Sequence, residues 1–123
     1  MTMTKKILIV DDDFQDRELM QSLLKKAKYD ATAVKNGAHA LEKIQEEDFD
    51  MILIDVLMPT LSGYDLLLLL REKLNHKIPM VYVTILPKSE VHTEHADGFI
   101  HKPFTEKDFI DMINKTFKTF KKR

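Results

Sequence analysis

The stretch DMILIDVLMPTLSG, Asp50–Gly63, decides the reading of this chain. Met51, Ile52, Leu53 and Ile54 form an apolar run too short for an ordinary helix and rich in strand formers. That pattern suits a strand buried on both faces of a parallel sheet. The run stops at Asp55, where the strand must leave the core, and Pro59 and Gly63 then impose a loop before the helix-like segment Tyr64–Leu74. In open α/β sheets, chemistry gathers at the carboxyl ends of the strands, so Asp55 stands where a reactive carboxylate would be held.

A lone aspartate at such a point would more simply cap a strand or a helix. A second strand ending the same way shifts the balance. Ile7–Val10 is another buried run, and it ends in Asp11, Asp12 and Asp13. Carboxylates meeting from two strand ends repel one another. A hard divalent cation with oxygen ligands would relieve that repulsion.

The remaining chain alternates between the two periods. Lys5–Val10 reads as the first strand after a short disordered lead, Met1–Thr4. Leu19, Met20, Leu23, Leu24 and Ala27 then form a helical stripe, with Asp13 as the natural N-cap and Lys25, Lys26 and Lys28 in the last turn. Asp30–Val34 is a weaker strand, broken by Asn36-Gly37, and Ala40, Leu41 and Ile44 continue as a short amphipathic helix ending near Glu47. After the Asp55 strand and its loop comes a leucine-rich helix, in which five consecutive leucines, Leu66–Leu70, are too many for one buried stripe. Pro79–Thr84 is the fourth strand; Ile85–Asp97 has few apolar anchors and room for one or two helical turns. Gly98–His101 is the fifth strand, and Thr105 with Asp108 caps a last helix carrying Phe109, Met112, Ile113, Phe117 and Phe120.

Five alternations predict a doubly wound parallel sheet in one domain, 1–123, with its core over about 5–120. On its carboxyl edge lie Asp11–Asp13, Asp55, Thr84 and Lys102. The 123 residues, 44% hydrophobic and 32% charged with a formal net charge of -1, are those of an ordinary globule, and nothing in them draws the whole chain to nucleic acid or membrane. The absence of cysteine excludes disulfides, thiolate metal sites and cysteine nucleophiles. No stretch has the length of a signal peptide or a membrane span, so a cytoplasmic location is expected. His39, His76, His92, His95 and His101 lack zinc-like spacing, and the basic end of the last helix reads as a solvated face.

Four pieces in order carry a resemblance: ILIVDD at the first strand, ILIDVLMP with Gly63 at the third, Thr84 at the fourth, and Lys102-Pro103-Phe104 after the fifth. With them the chain resembles the receiver domain of two-component response regulators, from Lys5 to about Phe120, and more narrowly a stand-alone one. The resemblance implies a flavodoxin-like fold of strand order 2-1-3-4-5 with five helices, the fourth shortened. It implies that Asp55 accepts a phosphoryl group from a histidine kinase or phosphotransfer protein. Asp12, Asp55 and the backbone carbonyl of Leu57 would hold Mg²⁺, with Asp11 acting through a coordinated water. Lys102, after which the family has a cis proline, would pair with the phosphoryl oxygens. Thr84 would donate its hydroxyl and act as a switch together with Phe99, and signalling would proceed by phosphorylation-dependent binding of a downstream protein.

Three departures bear on these expectations. Phe99 stands where the family often has a tyrosine, so no hydroxyl is available there. Ile85 follows Thr84 where a small residue is usual. It would either lean over Asp55 and obstruct both the phosphodonor and the hydrolytic water, or point into the core. Thr84 and Phe99 stand only 15 positions apart, about one helical turn less than usual, which shortens the fourth helix and puts the family's usual output face in doubt. Two other functions compete. One is a pseudo-receiver, a constitutive protein-interaction module that signals without phosphate. The other is a phosphohydrolase of haloacid-dehalogenase type, against which stand Val56-Leu57 in place of a second acid and a chain too short for a substrate cap.

Overall fold

The computed structural model describes residues 4–121. Of the lead expected to be disordered, Met1–Met3 lie outside the described residues, as do Lys122 and Arg123 of the basic end. The strands are β1 (Lys6–Val10), β2 (Asp30–Val34), β3 (Met51–Ile54), β4 (Met80–Thr84) and β5 (Gly98–His101), all parallel in the order 2-1-3-4-5. The helices are α1 (Phe14–Lys26), α2 (Gly37–Glu46), α3 (Gly63–Lys73) and α4 (Glu106–Thr119).

Alternation along the strands divides the core into two layers. Leu8, Val10, Ile52, Ile54, Met80 and Tyr82 pack against Ala40 of α2 and Leu66, Leu67 and Leu70 of α3. Ile7, Ile9, Met51, Leu53, Val81 and Ile100 turn to the other face, against Met20 and Leu24 of α1 and Phe109 and Ile113 of α4. The leucine run resolves as helical geometry requires. Leu66, Leu67 and Leu70 are buried, whereas Leu68 and Leu69 are left exposed. Two sequence-predicted caps form, Asp13 Oδ1 accepting from the Asp16 amide and Thr105 from that of Asp108, and Asn36, read only as a strand breaker, caps α2 by accepting from the His39 amide. Lys28 falls outside α1, at φ 73, because the helix already ends on Ala27.

The expectation of five helices is corrected. Between β4 and β5 the chain forms only a 3-10 turn at Lys88–Glu90. Side chains of α3 and the backbone at the start of β4 hold this segment where a helix would have covered the sheet. Arg71, almost wholly buried, donates from Nε to the His95 carbonyl at 2.7 Å and from Nη2 to Asp97 Oδ2 at 2.5 Å. The same carboxylate oxygen accepts from the Met80 amide at 2.9 Å, so Asp97 joins the segment to the start of β4. The His92 amide donates to the Tyr64 hydroxyl, and the Tyr64 ring stands edge-on to Tyr82. With few apolar side chains of its own and these fixed points, the segment makes a turn and a strapped loop.

Candidate functional site

Strand register brings the carboxylates together. Val10 of β1 pairs with Ile54 of β3, so the residues that follow, Asp11 and Asp55, emerge side by side. Thr84 of β4 pairs with His101 of β5, and the Lys102 amide then donates to the Thr84 carbonyl at 2.8 Å. The Lys102–Pro103 peptide bond is cis. Asp11, Asp55, Thr84 and Lys102 are all buried at the carboxyl edge.

The Lys102 ammonium meets three carboxylates: Asp11 Oδ2 at 2.7 Å, Asp16 Oδ2 at 2.8 Å and Asp55 Oδ2 at 3.2 Å. Asp11 Oδ1 accepts from the Asp13 amide at 2.9 Å, and Asp55 Oδ1 from the Leu57 amide at 3.1 Å. Burial raises the pKa of both Asp11 and Asp55, against the opposing pull of Lys102 and their backbone donors. For Lys102, burial works against its charge, but hydrogen bonds to Asp11 and Asp16 and the nearby Asp55 charge prevail and raise its pKa.

Asp11, Asp12 and Asp55 each offer a carboxylate oxygen, and these oxygens lie within 4.8 Å of one another. Two of the three acids are buried and destabilised as anions, with Lys102 alone among the described residues to offset them through an ion pair. That demand for positive charge, met by an all-oxygen donor set, fits Mg²⁺.

The other named residues fall as follows. Thr84 Oγ1 accepts from the Leu86 amide at 3.3 Å. Phe99, half-buried on β5 opposite Tyr82, packs into the core layer of α2 and α3. Ile85 is 62% exposed, which removes the alternative that it points into the core; its carbonyl contacts His101 Nε2 at 3.1 Å. Leu57 is also exposed. Gly63 is required by close approach, since a Cβ there would lie 2.2 Å from the Asp55 carbonyl oxygen. This is why α3 can begin directly against the strand end that carries Asp55.

The sequence reading missed Asp16. An acid in the first turn of a helix is already accounted for by the helix dipole, and its lysine partner lies 86 residues away.

The fold is that of a receiver domain: residues 7–114 match the response regulator receiver domain family, and the chain belongs to it. It is 34% identical over 117 residues to the two-component response regulator ORR7 of Oryza sativa subsp. japonica, covering 89% of this chain and 55% of that protein. It is 31% identical over 117 residues to the response regulator receiver protein CpdR of Brucella abortus, covering 90% and 95% of the two. The crystal structure of the response regulator protein TrrA from Thermotoga maritima in complex with Mg(2+)-BeF superposes with a TM-score of 0.84 at 27% identity, over 92% of this chain and 99% of that one. The chain thus spans about half the length of ORR7 and nearly all of CpdR. No described helix is long and apolar enough to cross a membrane.

Proposed function

We propose that this receiver domain accepts a phosphoryl group on Asp55 from the phosphohistidine of a kinase or phosphotransfer protein, and that it signals by binding a downstream protein in one phosphorylation state. The observation that carries the reading is the convergence of Asp11, Asp55 and Lys102 at buried strand ends, with Thr84 beside them. A carboxylate oxygen of Asp55 forms a bond to phosphorus as the bond from phosphorus to the imidazole nitrogen breaks, and the electron pair returns to the ring. No proton needs to leave the nucleophile, so the site must supply alignment and positive charge. Lys102 supplies part of that charge within reach of Asp55. The Thr84 hydroxyl would donate to a phosphoryl oxygen and, with Phe99, pass the change to the surface. A bound Mg²⁺, held by Asp12, Asp55 and the Leu57 carbonyl with Asp11 acting through water, would neutralise further phosphoryl charge. The Mg(2+)-BeF complex of TrrA supports this cation.

Intact mass after incubation with a small acyl phosphate and Mg²⁺ tests the proposal, and one phosphoryl adduct is expected. No adduct would select the pseudo-receiver, which the strapped loop between β4 and β5 favours. Continuous phosphate release from many substrates would point instead to a phosphohydrolase.

Replacement of Asp12 by Ala is expected to weaken Mg²⁺ binding in titration calorimetry by at least the roughly 10-fold cost of disturbing an outer-shell partner. Unchanged affinity would mean the cation site is elsewhere.

Ile85→Ala is expected to speed phosphorylation and dephosphorylation together, with little change in Mg²⁺ affinity. The exposed side chain begins directly after Thr84, so its removal opens access without leaving a core cavity. A tenfold change in rate requires only about 1.4 kcal/mol of relieved obstruction. Rapid-mixing kinetics beside a denaturant melt check this, and unchanged rates would end the gating role.

A further inference from the structure

We propose that Asp16 is a positioning residue that draws Lys102 toward α1 in the resting protein, so that a phosphoryl group arriving on Asp55 must win the ammonium from it. The inference rests on Asp55 being the acceptor, and it adds a control that the sequence pattern does not contain. An ammonium has three N–H donors. Here three carboxylates take them, and the two shorter contacts, 2.7 Å to Asp11 and 2.8 Å to Asp16, outrank the 3.2 Å contact to Asp55. The lysine is thus fully engaged and held more closely by Asp11 after β1 and Asp16 on α1 than by the nucleophile.

Asp16 differs from the other two partners in place and exposure. The carboxylates that converge for a cation are Asp11, Asp12 and Asp55, and Asp16 is outside that set. A cation bound there would engage Asp11 and Asp55 and leave the Asp16 contact to Lys102 intact. Asp16 is itself fixed at its backbone, because its amide donates to the Asp13 carboxylate that caps α1. Its side chain is 38% exposed, against 1% for Asp11 and 9% for Asp55, so it can release the lysine and be solvated. Asp16 is therefore the partner of Lys102 that can let go at least cost. When it does, the first turn of α1 keeps only its Arg17 guanidinium on the Asp11 carbonyl as a side-chain link to the site among the described residues.

Two measurements on the full chain test the tether. The first needs no phosphoryl chemistry: proton exchange at the Lys102 ammonium, followed by NMR in metal-free protein, is expected to quicken severalfold in Asp16→Asn. Unchanged exchange would overturn the proposal, even if the wild-type protein took no phosphoryl group and the parent reading failed. The second is the rate of phosphoryl incorporation from a small acyl phosphate at saturating Mg²⁺. Asp16→Asn is expected to raise the maximal rate about fivefold, equivalent to roughly 1 kcal/mol, with a smaller change in donor KM. The gain should persist at high ionic strength, where a through-water charge effect would be screened. A rate that is unchanged or lower, or a gain that salt abolishes, would overturn the proposal.

Discussion

Replacing Asp55 by Asn is expected to abolish phosphoryl incorporation and leave the protein folded. The amide oxygen has the shape of the carboxylate but not its nucleophilicity, and no neighbouring acid can substitute. Asp11 is turned to Lys102 through one oxygen and to the Asp13 amide through the other. Stability should not fall, and the sign follows from burial. Burial is the first cause that raises the Asp55 pKa above its ordinary 3.8, so the fold disfavours the ionised form. For a raised folded-state pKa, the stabilising contribution is complete below the ordinary value and is lost as pH rises through the folded one. Metal-free wild-type protein therefore carries a deficit at neutral pH that the Asn variant lacks, and the difference should close as pH drops into the carboxylate range. Intact mass, peptide mapping and denaturant melts at two pH values check each part. A phosphoryl group mapped to any other residue of the wild type would refute the assignment.

Arg71→Met is expected to produce the larger loss of stability, about 3 kcal/mol, in the lower part of the range for breaking a buried ion pair. The substitution keeps the apolar stem but takes the guanidinium from Asp97 and from the His95 carbonyl. The lower part of the range applies because Arg71 Nη1 is buried without a hydrogen bond among the described residues, a cost the native protein already bears. The loss should be local in its first effect. Amide exchange should quicken across His92–Asp97 before it does in β1 or β3. A loss below 1 kcal/mol, or exchange that quickens evenly through the sheet, would show that Arg71 does not hold the loop.

The sheet and most of the residues that converge at the candidate site were legible from short-range pattern. Buried runs ending in Asp11, Asp55 and Thr84 give both strands and site, because parallel register sets their ends side by side. Two features were not legible, for different reasons. Asp16 already satisfies a local rule as a first-turn acid, so nothing in its surroundings signals a second, distant partner. The segment after β4 was expected to contain a shortened helix, yet its structure is set by Arg71 and Tyr64, which lie on α3. Arg71 reads in sequence as an ordinary last-turn cation of a surface helix, and only the fold reveals it as buried.

The edge-on contacts that Tyr64 makes with Tyr82 and His92 at that strap give the protein a built-in optical probe. The chain has three tyrosines and no tryptophan, so tyrosine dominates its near-ultraviolet spectrum. Tyr82 lies beneath the strap, edge-on to Tyr64, and burial pushes its hydroxyl up to about 12. In an alkaline absorbance titration, Tyr82 should ionise near that value while the strap stays seated. An event at the carboxyl edge that loosened the strap would bring this ionisation to lower pH, so the unlabelled protein can report whether the phosphoryl state reaches the far side of the sheet.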